Sequence, residues 1–227
     1  MSAARLAAVP IVIVAAALAI AGCTAEQPPP ATDDVITFAV AGDSLTAWDD
    51  QTFPDPDGDL DPVTWTYWAI EDGLQLAGGY ARGFASAADI AAAMVAVDAD
   101  VLVVMVGTND TGVTDPDAVL ASIDEIVETA GARAVLISAI PPDDGFAADA
   151  LAYNLALVGH AAERGWAFVD PWAAMRVDGV WDDGLSTDGV HPTPDAAEAA
   201  GQVIAAAIRE LAGRTADPGA GNAPSGG

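Results

Sequence analysis

The run Asp100-Val-Leu-Val-Val-Met-Val-Gly107 has no polar residue between its ends, and it constrains the fold more than any other segment. A strand with one solvated face alternates apolar and polar side chains. A strand without that alternation must be covered on both faces, as in a parallel sheet with helices on either side. ARAVLISAI (132–140) and VITFAVA (35–41) read the same way, WAFVD (166–170) is a shorter run, and a weak strand is expected near 79–82. Helical stretches separate them at 64–76, 86–97, 115–130 and 146–164, and a last one at 193–211 opens with Thr193 as a cap. Strands alternating with helices define the α/β class and predict a three-layer α/β/α domain. These five strands fit a doubly wound parallel sheet of order 2-1-3-4-5. That order sets strand 1 beside strand 3 and directs attention to the loops after 41, 82 and 107, at the carboxyl ends of the strands.

The ends of the chain have a different character. Met1 to Arg5 is a short basic start, and Leu6 to Ala21 is an apolar run broken only by Pro10, which reads as an export signal. The run is shorter than the roughly 20 residues that span a bilayer, so a permanent transmembrane helix is not expected. Ile20-Ala21-Gly22-Cys23 looks like a bacterial lipoprotein box. That resemblance implies loss of residues 1–22 and a diacylglyceryl group on the thiol of Cys23, giving an extracytoplasmic protein held at the cell membrane by its lipid. Residues 23–33, with three consecutive prolines, are expected to be an extended linker, 34–213 the folded domain, and 214–227 a disordered Gly/Pro/Ala tail. Cys23 is the only cysteine, so no intrachain disulfide forms and the exported fold rests on its core. Seven arginines and no lysine stand against 34 acidic residues, a formal charge of -27. This excludes nucleic acid as a partner and removes any basic patch for anionic lipid, which leaves Cys23 as the membrane attachment. A monomer is expected.

The three loops singled out by the sheet order begin Gly42-Asp43-Ser44-Leu45, Gly83-Phe84-Ala85-Ser86 and Gly107-Thr108-Asn109-Asp110. A serine just past strand 1 and a carboxamide just past strand 3 would face one crevice although 65 residues separate them. A fourth segment, Asp188-Gly189-Val190-His191-Pro192, precedes the last helix. In a turn, its carboxylate can accept the proton on Nδ1 and leave Nε2 facing the serine. Ester hydrolysis needs such a base beside a hydroxyl and donors aimed at the developing oxyanion. There is no G-x-S-x-G elbow, which disfavours the α/β-hydrolase route to the same chemistry.

In this order and spacing, GDSL, GTND and DGVHP resemble the SGNH hydrolases, also called GDSL esterases and lipases, over about residues 35 to 211. The resemblance implies the SGNH hydrolase fold, a flavodoxin-like three-layer domain, and hydrolysis of carboxylic esters through an acyl-enzyme without metal or organic cofactor. It implies Ser44 as nucleophile, His191 as general base and then acid, and Asp188 as the group that orients the imidazole. Asn109 and two backbone N–H groups, one of them from Ser44, would form the oxyanion hole. The second N–H normally comes from a glycine, and here the motif departs from the family: ARGFASAAD can place that position at Gly83, Phe84 or Ser86, with Gly83 preferred. Substrates expected from the family are O-acyl groups on glycans, or lipid and small-molecule esters. Acyl transfer to a sugar hydroxyl would use the same residues. Non-catalytic binding of glycan or acyl ligands is the reading from another class, and the complete Ser44, Asn109, Asp188, His191 set speaks against it.

Other polar residues carry plainer readings. His160, on an Ala-rich helical stretch, and Asp110 are expected to be structural. Asp55, Asp57, Asp59 and Asp61 alternate like calcium ligands but lack a terminal glutamate, so a solvated acidic loop is expected. Trp65 and Trp68 have the spacing of a helix core face, although with Trp48 and Tyr67 they would also suit the wall of an acyl or sugar pocket. Asp170-Pro171-Trp172 should position the final loop, and Trp181 is a candidate for the site entrance.

Overall fold

The computed structural model describes residues 35–47, 51–53 and 60–216. The export signal, Cys23, the proline linker, Trp48, Asp55 to Asp59 and the tail past 216 lie outside the described residues. No helix among the described residues is long and apolar enough to cross a membrane.

The non-alternating strands are buried on both faces. Strands β1 (Thr37–Gly42), β4 (Val101–Met105) and β5 (Ala134–Ser138) have almost no exposed residue, and their side chains divide by parity between two cores. Phe38, Val40, Val101, Val103 and Leu136 face one core. Ala39, Ala41, Leu102, Val104 and Ile137 face the other. Each fully buried leucine or isoleucine side chain contributes about 1.5–3 kcal/mol, so both faces supply a substantial share of the driving force. Helices α1 (Trp65–Glu71) and α5 (Pro194–Ala216) close the first core with Trp65, Ala200, Ile204 and Ile208. Helices α2 (Ala87–Ala93), α3 (Pro116–Ala130) and α4 (Ala147–Arg164) close the second with Ile90, Ile123, Ile126 and Leu157.

The sheet also contains β2 (Gln51–Phe53), β3 (Gln75–Ala81) and β6 (Ala167–Val169), and its order is β2-β3-β1-β4-β5-β6. The five parallel strands thus follow the expected 2-1-3-4-5 order, with β3 and β4 on either side of β1. The unanticipated addition is β2, a three-residue antiparallel strand on the outer edge of β3. It is too short, and too close to proline and aspartate, to show a periodic signal. Strand β3 begins four residues before the expected position. Its glycine pair carries no side chains to mark a strand, and a register shift falls between Phe38 and Ala39 of its partner. Gly78 and Gly79 take φ of 150° and 121° there, values that side-chain-bearing residues avoid.

Helix ends differ from the sequence reading for local reasons. α1 stops at Glu71 because Gly73 turns the chain with φ of 90°. α2 ends at Ala93, where Met94 goes over to extended backbone, whereas α5 continues to Ala216, beyond the expected end of the domain. A small hairpin of β7 (Arg176–Val177) and β8 (Val180–Trp181) turns through Asp178-Gly179, both at positive φ. Apolar residues flanking Asp-Gly are a hairpin signal visible in the sequence, and it escaped the sequence reading.

Replacing Gly79 by alanine would place a Cβ 2.0 Å from the Val40 carbonyl oxygen, in a backbone conformation alanine disfavours. A loss of at least about 2–3 kcal/mol is expected from combined strain and overlap, measured as a lower urea midpoint.

Candidate active site

The loop that carries Ser44 is a tight turn fixed from beneath. The Asp43 carbonyl accepts the N–H groups of Thr46 (3.0 Å) and Ala47 (2.9 Å), while Asp43 Oδ1 accepts the Leu45 N–H at 3.1 Å. This lifts Ser44, partly exposed between buried neighbours, above the carboxyl end of β1. Gly42 permits the turn, because a Cβ there would lie 2.0 Å from Thr46 Oγ1, the atom that accepts the Trp65 indole N–H at 3.0 Å.

The turn 188–191 carries the acid and the imidazole together. Asp188 Oδ1 accepts the N–H groups of Val190 (3.0 Å) and His191 (2.8 Å), and Oδ2 lies 2.8 Å from His191 Nδ1. Ser186 Oγ accepts the Gly189 N–H and donates to the His191 carbonyl, closing the loop on itself. On the far side of the ring, His191 Nε2 stands 3.0 Å from Ser44 Oγ across 147 residues of sequence. With Nδ1 donating to the carboxylate, the Nε2 lone pair points at the serine hydroxyl. Partial burial pushes Asp188 up, but the His191 N–H, its ring and the Val190 N–H outweigh it and hold the carboxyl below the usual range.

Asn109 sits in the turn Thr108–Asp110 after β4 and donates from Nδ2 to the Ala85 carbonyl at 3.0 Å. One amide hydrogen serves that bond, and the second has no acceptor among the described residues. Asp110 is structural as expected: it is buried and accepts the Ala87 N–H at 2.8 Å, tying the loop before α2 to the loop after β4. Ser86 forms a capping box with Asp89, and its N–H is held by Asp89 Oδ2 at 3.0 Å. Ser86 is therefore not an available donor. Gly83 and Phe84 form the turn itself, and the left-handed backbone that favours glycine falls on Phe84, with φ of 62°.

The aromatic and histidine readings resolve into structure. Trp65 is fully buried, and Trp181, the candidate for the entrance, is buried as well, packed edge-on against Trp172 at 5.7 Å. The Trp181 main-chain N–H donates to Asp144 Oδ1 (3.0 Å), and the Asp144 main-chain N–H donates to the Gly189 carbonyl (2.9 Å), so the hairpin and this loop brace the histidine turn. Asp170 fixes the segment after β6, binding Arg176 at 2.8 Å. His160 pairs with Asp124 at 2.9 Å between α3 and α4. Among the described residues no group of three or more His, Cys, Asp or Glu could hold a metal ion.

The GDSL-like lipase/acylhydrolase family profile matches residues 40–199, and the chain belongs to that family of ester-hydrolysing enzymes. Solved structures with similar folds include an aryl esterase from M. smegmatis in an inhibitor-bound form (18% identity, TM-score 0.59, 78% of this chain and 100% of that one). Others are the carbohydrate acetylesterase Est24 from Sinorhizobium meliloti (17%, 0.56, 78% and 99%) and a lipolytic G-D-S-L family member from Veillonella parvula (17%, 0.57, 74% and 95%). At these identities the likeness speaks for the fold. No curated protein sequence matches.

One residue of the site was missed in the sequence. Asp43 is fully buried, its Oδ2 and the neighbouring Thr108 hydroxyl lack well-formed partners, and burial pushes its carboxyl up to about 6. The Leu45 N–H, a weak bond from the Thr108 hydroxyl and the nearby His191 oppose that shift, and Asp110 adds to it. A raised folded-state pKa means that the fold binds this proton more tightly than the unfolded chain does. Its stabilisation is thus complete below about pH 4 and lost as pH rises through 6, on the order of 3 kcal/mol. In Asp43→Asn this component should vanish. Urea unfolding of both proteins at pH 4, 5, 6 and 7 checks it: the stability difference should change by a few kcal/mol in favour of the variant as pH rises, and a constant difference would refute the assignment.

Proposed function

We propose that the chain hydrolyses carboxylic esters with Ser44 as nucleophile, His191 as general base and acid, and Asp188 as the residue that fixes the imidazole. The observation that carries this reading is the continuous path Ser44 Oγ to His191 Nε2 (3.0 Å) and His191 Nδ1 to Asp188 Oδ2 (2.8 Å) at the carboxyl end of the sheet. In acylation, Ser44 Oγ bonds to the carbonyl carbon while its proton passes to Nε2. The tetrahedral oxyanion is met by the Ser44 N–H, the free hydrogen of Asn109 Nδ2 and an N–H of the Gly83-Phe84 turn. Collapse breaks the ester bond, and Nε2 returns the proton to the leaving alcohol. Water then gives its proton to Nε2, attacks the acyl-serine and releases the carboxylic acid, restoring the serine hydroxyl.

The substrate reading is a neutral ester outside the cytoplasm, an O-acyl glycan or a lipid ester. The export signal, the lipoprotein-like Cys23 and the esterases that share the fold support it. The enzyme would work as a lipid-anchored monomer, with its acidic surface keeping anionic headgroups at a distance.

With p-nitrophenyl acetate and the full chain in detergent, Ser44→Ala should lose at least about a thousandfold in kcat. Asn109→Ala should lose about a hundredfold, mainly in kcat rather than KM, because the donor acts on the transition state. Undiminished turnover or fluorophosphonate labelling in Ser44→Ala would end the serine mechanism. For the anchor, Cys23→Ala is expected to move the protein from the membrane to the soluble fraction of an expressing bacterium, and intact mass should show acyl chains on the wild type alone.

A further inference from the structure

Large apolar side chains stand exposed on two loops that border Ser44 and His191. Phe84 is 89% exposed and Phe146 44%. An exposed phenylalanine alone is ordinary, but Phe84 also holds φ of 62°, a conformation that bulky residues rarely adopt and that glycine takes freely. The surrounding bonds lock it there. The Arg82 N–H bonds the Gly42 carbonyl at 3.2 Å, the Ala85 N–H returns to the Arg82 carbonyl at 3.2 Å, and the Ala85 carbonyl receives Asn109 Nδ2 at 3.0 Å. The benzyl group therefore projects from a turn clamped between the nucleophile strand and the proposed oxyanion donor. Phe146 stands on the loop that leads into α4. Its ring lies so close over Gly112 that a Cβ there would meet it at 2.4 Å, three residues past Asn109, and its loop is tied to the histidine turn through Asp144 and Gly189.

We infer that Phe84 is a specificity-determining residue whose ring, together with Phe146, covers an apolar group, aryl or medium-length alkyl, of the ester held at Ser44. This rests on the hydrolase reading above. Strained, fully displayed apolar surface beside a site gains its partner when substrate arrives, and water is then excluded from the ester. The charge around the cleft agrees: Asp144, Asp182, Asp183 and Asp188 line the surface beside His191, which disfavours a substrate carrying a carboxylate or phosphate there.

The test measures kcat/KM of the full chain for two ratios, p-nitrophenyl hexanoate over p-nitrophenyl acetate and phenyl acetate over ethyl acetate. The first reports the acyl side and the second the alcohol side. Phe84→Gly should lower at least one ratio roughly tenfold or more relative to wild type, as expected when apolar contact is removed from a substrate group. Phe84→Leu should restore most of it, and Phe146→Ala should lower the same ratio. The Phe84→Gly melting temperature should stay at or near that of wild type, since glycine adopts this φ without strain. An active Phe84→Gly enzyme with both ratios within about twofold of wild type overturns the inference and leaves the hydrolase reading standing. A folded wild type inactive on all four esters overturns both.

Discussion

A parallel strand buried on both faces has no side on which to carry polar chemistry, and that constraint organises the whole molecule. β1, β4 and β5 send their apolar side chains to one core or the other, and their few polar ones, Thr37 and Ser138, are used up on Asp100 and the Ala139 carbonyl, so polar groups for a site come from the loops past the strand ends. Ser44 appears two residues past β1 and Asn109 four past β4. Because β1 and β4 are adjacent and in register, with Gly42 opposite Met105, residues remote in sequence arrive over the same edge of the sheet.

Rigidity at that edge comes from links between loops rather than from the loops themselves. Asp110 holds the start of α2, and Asn109 holds the Ala85 carbonyl. Asp144 joins the β7–β8 hairpin to the histidine turn. Each link joins one side chain, Asp110, Asn109 or Asp144, to a backbone group, so the backbone partner can change its own side chain without losing the bond. Asp43 is the exception, a buried carboxyl next to Ser44 with one oxygen lacking a well-formed partner. Its cost in stability is the kind that active sites carry and the rest of the fold offsets.

Sheet order and the positions of Ser44, Asn109, Asp188 and His191 were legible because both depend on short-range signals: unbroken apolar runs for the strands, and small motifs placed directly after them. β2 was illegible because three edge residues have no periodicity, and β3 was seen only in part because Gly78-Gly79 replaces side chains with backbone freedom. The β7–β8 hairpin, by contrast, carries a local Val-Asp-Gly-Val signal that marks it in the sequence. The inward packing of Trp181 and the burial of Asp43 depend on contacts between distant segments that no local pattern encodes. At the second motif, spacing left three residues open. The backbone engages the N–H of Ser86 and gives Phe84 the glycine-like conformation.

The carboxylate and the imidazole occupy a single turn, Asp188 to His191, whose internal hydrogen bonds owe little to the rest of the protein. Only one long-range distance, His191 to Ser44, has to be right for the proposed relay to exist. The pair behaves as a preassembled cartridge docked on the sheet, held by the Asp144 and Trp181 bonds. Heating or mild denaturant that loosens this docking would silence the enzyme while both cores stay packed, so inactivation and unfolding are separable events in this architecture.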